Sequence, residues 1–178
     1  MKIIRNSLKG DLNLRTEKDF PTKGIEFIDI NSLILQSNTL EEIIDIFVDY
    51  LKDTPVDYIV APEARGFLFG SAVAYKLKCG CIPVRKKGKL PPSTVETSFE
   101  YEKEYGKDYL ELPKLIKGSY KGKNFFIIDD IYATGNTNNG IKKAITDLGG
   151  NVLGAGTVIN IAELNNDDIF SIIDVNEG

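Results

Sequence analysis

Apolar positions along the chain recur with two different periods, and each period predicts a different kind of element. Ile43, Ile44, Phe47, Val48 and Leu51 follow helical spacing. Thr39-Leu-Glu-Glu42 just ahead of them reads as a capping box that opens this helix, and Pro55 follows its end. Residues 57–61 (DYIVA) form a short apolar run expected of a buried strand. After the turn 62–66 (PEARG), residues 67–80 (FLFGSAVAYKLKCG) read as an apolar-rich helix ended by Gly80. Residues 81–85 (CIPVR) read as another strand. Residues 86–94 (KKGKLPPST) are basic and aperiodic, with Gly88 and a double proline, and predict an exposed mobile loop. Residues 95–112 alternate about a break at Tyr105 to Lys107, as a hairpin does. A strand over 124–129, a helix over 137–148 closed by Gly149-Gly150, and a final long strand over 151–160 complete the pattern.

Strands alternating with helices imply an α/β fold, with a mostly parallel central sheet flanked by helices on both faces. There is no internal repeat and no low-complexity linker, so residues 1–178 read as a single domain. Ligands of such sheets sit at the carboxyl ends of the strands. Asp129, Asp130 and the turn 62–66 lie at such ends.

Charge and composition narrow the function. The net charge is -4, which argues against a nucleic-acid partner, whose footprint is basic. No apolar run is long enough to span a bilayer, and the start MKIIRNSLKGDLNL is too polar for a signal peptide. A cytoplasmic protein without a membrane partner is the expectation. The chain has no His, which removes Ser-His-Asp and Cys-His chemistry. Proton transfer must then use Asp, Glu, Lys, Tyr or a thiol. Cys79 and Cys81 are too few for a structural zinc site, and read as reduced thiols at the entry to a buried strand.

The stretch 125–137 (FFIIDDIYATGNT) carries the candidate chemistry. Four apolar residues run into two adjacent carboxylates, and a loop of small and hydroxyl-bearing residues feeds a helix N-terminus. Like charges so close call for hydroxyl donors or a cation to share. Backbone N–H groups at a helix N-terminus favour phosphate. Diol acceptors beside a monophosphate cradle match the two ends of a ribose 5-phosphate. A Walker A loop is excluded, because Ile141 stands where its Lys must be and Lys142 is one place late. The dinucleotide fingerprint is also missing. Taken as an isolated Asp-Asp pair, the same residues would more simply be a solvated acidic turn.

The stretch IIDDIYATGNT resembles the phosphoribosyl diphosphate (PRPP) motif of the type I phosphoribosyltransferases. Together with 19–30 (DFPTKGIEFIDI), 62–70 (PEARGFLFG), 84–91 (VRKKGKLP) and 104–112 (EYGKDYLEL), it is similar to the adenine branch of that family along most of the chain. The resemblance implies that fold, with residues 1–36 as an N-terminal segment forming a base-binding hood. It implies transfer of a 5-phosphoribosyl group from PRPP to a purine, releasing diphosphate with the help of Mg²⁺. Asp129 and Asp130 would hold the ribose hydroxyls. Ala133, Thr134, Gly135, Asn136 and Thr137 would cradle the 5-phosphate. Asn136 replaces a usual second Gly, in a position where Asn would tolerate left-handed backbone. Ala64 and Arg65 would form the diphosphate loop, whose uncommon backbone geometry presents N–H groups, with Arg85, Lys86 and Lys89 nearby. Glu104 and Arg65 would be the catalytic groups, and Tyr105 would pack near the ribose. Spacing alone does not choose among Glu100, Glu102 and Glu104; the family match does.

Phe27, with the backbone of Glu26 and Ile28, would meet the base. No metal ligand is implied from the protein directly, with Mg²⁺ held by PRPP or diphosphate, near Asp129. Ile28 stands where many adenine enzymes carry Arg. Hypoxanthine, guanine or xanthine therefore remain alternative bases, and a non-catalytic PRPP or nucleotide sensor is an alternative of another class. A homodimer is the common assembly of such enzymes.

Overall fold

A computed structural model describes residues 1–10, 12–103 and 106–176. Its first elements are β1 (Lys2–Asn6), the antiparallel pair β2 (Arg15–Lys18) and β3 (Glu26–Asp29), and the short α1 (Asn31–Ile34). Then follow α2 (Ser37–Leu51), β4 (Tyr58–Pro62), α3 (Gly66–Leu77), β5 (Gly80–Lys86), β6 (Val95–Lys103) and β7 (Gly106–Pro113). The chain ends with β8 (Asn124–Tyr132), α4 (Asn136–Asp147), β9 (Asn151–Ile161) and β10 (Phe170–Asn176).

The main sheet runs in the order β1-β10-β9-β8-β4-β5-β7-β6. The five strands from β10 to β5 are parallel, and antiparallel strands close both edges. The expected hairpin over 95–112 is the β6–β7 pair. β8 sits at the centre and is buried on both faces. Phe126 and Ile128 join a core with Ile43 and Phe47 of α2 and with Phe69 and Val73 of α3. Phe125 and Ile127 join a second core with Ile141 and Ile145 of α4. This double burial explains why the run reads as continuous rather than alternating.

The structure departs from the sequence reading at several points, each for a local reason. The Thr39–Glu42 capping box is not used. α2 begins at Ser37 after an extended Gln36, with no side-chain cap, and Glu42 instead accepts from the Lys9 N–H at 2.8 Å. α3 ends at Leu77, with Lys78 in the left-handed region at φ 58°, not at Gly80. Gly80 opens β5, where a Cβ would meet the Tyr58 ring at 2.3 Å. Cys79 is half-buried, but Cys81 is exposed rather than sunk at the strand entry, and both are free thiols. Finally, β10 lies beyond the strand expected to be last. A 3-10 turn and a loop replace the helix that usually signals a parallel crossover.

The N-terminal segment is also divided. β1 pairs with β10 in the main sheet, whereas β2 and β3 form a separate two-stranded sheet. Replacing Phe126 with Ala should lower unfolding free energy by about 3–5 kcal/mol, read as an earlier midpoint in urea; a change under about 1 kcal/mol would place Phe126 outside the tightly filled core.

Candidate active site

Three chain segments converge at the carboxyl end of β8: its own last residues, the turn into α3, and the loop into α4. Gly66 makes the first approach possible, since a Cβ there would lie 2.8 Å from Pro62 Cδ and 3.2 Å from Asp129 Oδ1. The Glu63–Ala64 peptide ahead of it is cis. Asp129, Asp130 and Thr137 face Glu63, Ala64 and Arg65 across a polar cleft of about 210 Å³, closed on one side by Tyr101 of β6.

Asp130 is 4% exposed. Its Oδ2 lies 2.6 Å from Arg65 Nε, but without the alignment of a hydrogen bond, so the oxygen has charge compensation and no donor. Asp129 Oδ1 accepts from the Asp130 backbone N–H at 2.8 Å. Burial first, and the adjacent Asp130 charge second, push the Asp129 carboxyl well above the ordinary carboxylate range. At the other wall, Gly135 takes φ +77° at the N-terminus of α4. The first N–H groups of that helix have no carbonyl to bond within it and carry its positive dipole end.

Residues 32–177 match the model of the phosphoribosyl transferase domain. The chain belongs to this family. It is 49% identical over 157 residues to the adenine phosphoribosyltransferase of Clostridium acetobutylicum, a match covering 88% of each chain. It is 45% identical to that of Clostridium botulinum strain Eklund 17B, over 91% of this chain and 92% of the other. Among solved structures, it resembles the adenine phosphoribosyltransferase of Thermoanaerobacter pseudethanolicus with TM-score 0.82 and 39% identity, over 91% and 95% of the two chains. It also resembles the Giardia lamblia enzyme complexed with 9-deazaadenine, with TM-score 0.83 and 28% identity, over 93% and 95%.

Within this phosphoribosyltransferase fold, the expected site residues fall into groups. Arg65, Ala64, Asp129, Asp130 and Thr137 share the cleft. Ala133, Thr134, Gly135 and Asn136 form the loop into α4 beside it. Asn136 is the first helical residue, and the left-handed position is Gly135, so Asn136 has no strained backbone to tolerate. Arg85 is turned to Glu63, with Nε 2.9 Å from Oε2. The Lys86 backbone N–H bonds the same carboxylate. That bond first, with Arg85, outweighs burial and holds Glu63 below its ordinary range. Lys86 and Lys89 are exposed and line no part of the cleft. Their loop is tied at its root, where Gly88 N–H donates to the buried Glu111.

On the β2–β3 side, Phe27 stands 6.0 Å from the Arg65 guanidinium and 5.1 Å edge-on from Phe20. Phe27 and Phe20 line a wider cleft of about 480 Å³. The Ile28 side chain is buried in the core, and Glu26 bonds the amino terminus of Met1. Glu104 and Tyr105 lie outside the described residues.

The sequence reading missed the support beneath the loop into α4. Tyr132 donates to Asp167 Oδ2 at 2.6 Å, and Asn165 Nδ2 donates to the Ala133 carbonyl at 2.8 Å. Nothing in the linear sequence pairs residues 35 apart across an irregular crossover.

The raised Asp129 carboxyl carries a stability consequence. The unfolded chain ionises this group at about pH 3.9, and the folded chain only at higher pH. Stability is therefore lost as pH rises from the unfolded value through the folded one, and the penalty is complete above it. Asp129→Asn should thus melt higher than wild type at pH 7, with the gap closing in acid. A variant that melts lower at pH 7 would show that the charge is stabilised where it sits.

Proposed function

We propose that this phosphoribosyltransferase transfers the 5-phosphoribosyl group of PRPP to adenine, giving AMP and diphosphate in purine salvage. The observation that carries the reading is the buried Asp130 oxygen, which is ion-paired with Arg65 but has no aligned hydrogen-bond donor, and which shares its cleft with Thr137 in the first turn of α4. A buried acceptor without a partner costs free energy until a donor arrives. Ribose hydroxyls are donors of the right kind, and the 5-phosphate of the same molecule suits the loop from Ala133 to Thr137. The named relatives and structural neighbours support the choice of adenine.

In this reading, the bond from the anomeric carbon to diphosphate breaks as the bond to N9 of adenine forms. Asp129 and Asp130 hold the two ribose hydroxyls and fix the ring. The Asp130 charge also favours the cationic sugar of the transition state. Arg65 leaves its contact with Asp130 and meets the departing diphosphate with the Ala64–Arg65 backbone; Arg85, Lys86 and Lys89 add positive charge as the loop over 86–94 approaches. Glu104 stabilises the sugar cation or takes the N9 proton, and Tyr105 packs on the ribose. Phe27 offers a flat face to the base. Because the Ile28 side chain is buried, the base edge is read by backbone groups along β3, whose outer edge has no strand partner among the described residues.

No cluster of three or more acidic or thiol side chains able to hold a metal occurs among the described residues. Mg²⁺ keeps several waters and is usually bound through substrate phosphates with one or two carboxylates; in this reading Asp129 is the carboxylate near it. Mg²⁺ on the diphosphate would offset the charge that develops on the leaving group. The reading includes a cytoplasmic setting, supported by two free thiols, and a homodimer. Exposed Leu68 and Tyr75, two turns apart on the outer face of α3, support the pairing.

Purified protein with PRPP and Mg²⁺ should convert adenine to AMP and leave hypoxanthine, guanine and xanthine unchanged, read by chromatography of the nucleotides. A different nucleotide would move the specificity, and no product with any base would overturn the catalytic reading. Glu104→Gln should lower turnover by about 10²–10⁴-fold with PRPP affinity retained; near-normal turnover removes Glu104 from the mechanism.

A further inference from the structure

The phosphate loop is built from residues with little side chain of their own. Ala133 rests only a single methyl on the core, which by itself leaves the direction of the following N–H groups open. Gly135 adds the widest backbone freedom of any residue. Something outside the loop has to hold it.

The crossover between β9 and β10 does so at two points. Tyr132 Oη occupies the space against Gly135, where a Cβ would stand only 2.3 Å away, and Asp167 Oδ2 lies 2.9 Å from the same point. Tyr132 is 5% exposed and donates to Asp167 Oδ2 at 2.6 Å. The second grip is Asn165. Its Nδ2 reaches the Ala133 carbonyl at 2.8 Å, Asn160 Oδ1 at 3.0 Å and the Ile161 carbonyl at 3.1 Å. The two grips are joined, since the Asp167 N–H donates to Asn165 Oδ1 at 3.3 Å.

We propose that Tyr132, Asp167 and Asn165 are positioning residues for the ribose 5-phosphate, setting the Ala133–Gly135 backbone from beneath without touching the ligand. The inference rests on the phosphoribosyl-transfer reading of the same loop. The Tyr132 ring fills the space under Gly135, and its hydroxyl bond to Asp167 stops that ring from sliding. Asn165 sets the orientation of the Ala133 carbonyl, and with it the peptide that leads into Thr134. Burial first, and the bond to Asp167 second, push the Tyr132 hydroxyl above its ordinary range, so it remains a donor throughout the neutral range. The Asp167 acceptor belongs to a segment that the chain reaches 35 residues later. Phosphate affinity is therefore coupled to the crossover over 162–169.

Tyr132→Phe keeps the ring and deletes the bond, and Asp167→Asn keeps the shape and weakens the acceptor. Each should raise KM for PRPP by about three- to tenfold, with KM for adenine within twofold of wild type. The double variant should be no worse than the poorer single variant, because both remove one bond. A purely structural role would lower the melting temperature and the active fraction while leaving KM for PRPP unchanged; that result would overturn the proposal, as would additive losses in the double variant. Titration calorimetry with ribose 5-phosphate separates this inference from the function it rests on. If wild type binds ribose 5-phosphate but forms no nucleotide, weaker binding by the variants still upholds the strut. If wild type binds neither ribose 5-phosphate nor PRPP, both readings fall.

Discussion

A carboxylate sunk at the end of the central strand, facing an arginine that compensates its charge without giving it a hydrogen bond, is the constraint around which this molecule is arranged. Removing a charge from water is costly unless it is paired and its lone pairs are met. Asp130 has the first condition and only part of the second. Its neighbour Asp129 holds its proton unusually tightly, through burial and the charge beside it. The rest of the fold maintains this arrangement. β8 is fixed by cores on both faces, so its end cannot retreat toward solvent. Gly66 lets α3 close over that end.

Arg65 links the three parts of the site. Its guanidinium touches Asp130 on one side and faces the Phe27 ring on the other. The end of β8, the turn into α3 and the β2–β3 segment therefore share a single cation. In the proposed reaction, a substrate whose hydroxyls satisfy Asp130 would free Arg65 for the charged leaving group, so binding and charge stabilisation would draw on the same side chain. Stability sacrificed at such a site and recovered on binding is the usual relation between active sites and the folds that carry them.

The central layer is legible in the sequence because β4 and β8 are apolar runs, each followed by a helical segment, and β9 is a long strand opened by a glycine stop. The sequence also exposed Asp129 and Asp130, since two carboxylates at the end of such a run have no simple packing role. What stayed hidden depended on distant partners. Glu42 looks like a cap, yet serves Lys9 from another segment. Gly80 looks like a helix stop, yet is needed for the approach of Tyr58. Arg85 looks free, yet is held by Glu63. β10 follows a crossover without a helix, so the alternation that revealed the other strands gave no sign of it. Tyr132 and Asp167 are brought together only once β9 has been laid beside β8.

The central claim is that the Asp130 carboxylate is an acceptor waiting for a substrate hydroxyl. Calorimetric titration of PRPP with Mg²⁺ into wild type and Asp130→Asn, both verified as folded, tests it most directly. The account predicts an affinity loss on the order of tenfold or more, as expected when hydrogen bonds to a charged group are weakened. Equal affinities would mean that the ribose hydroxyls are held elsewhere, and would contradict the account.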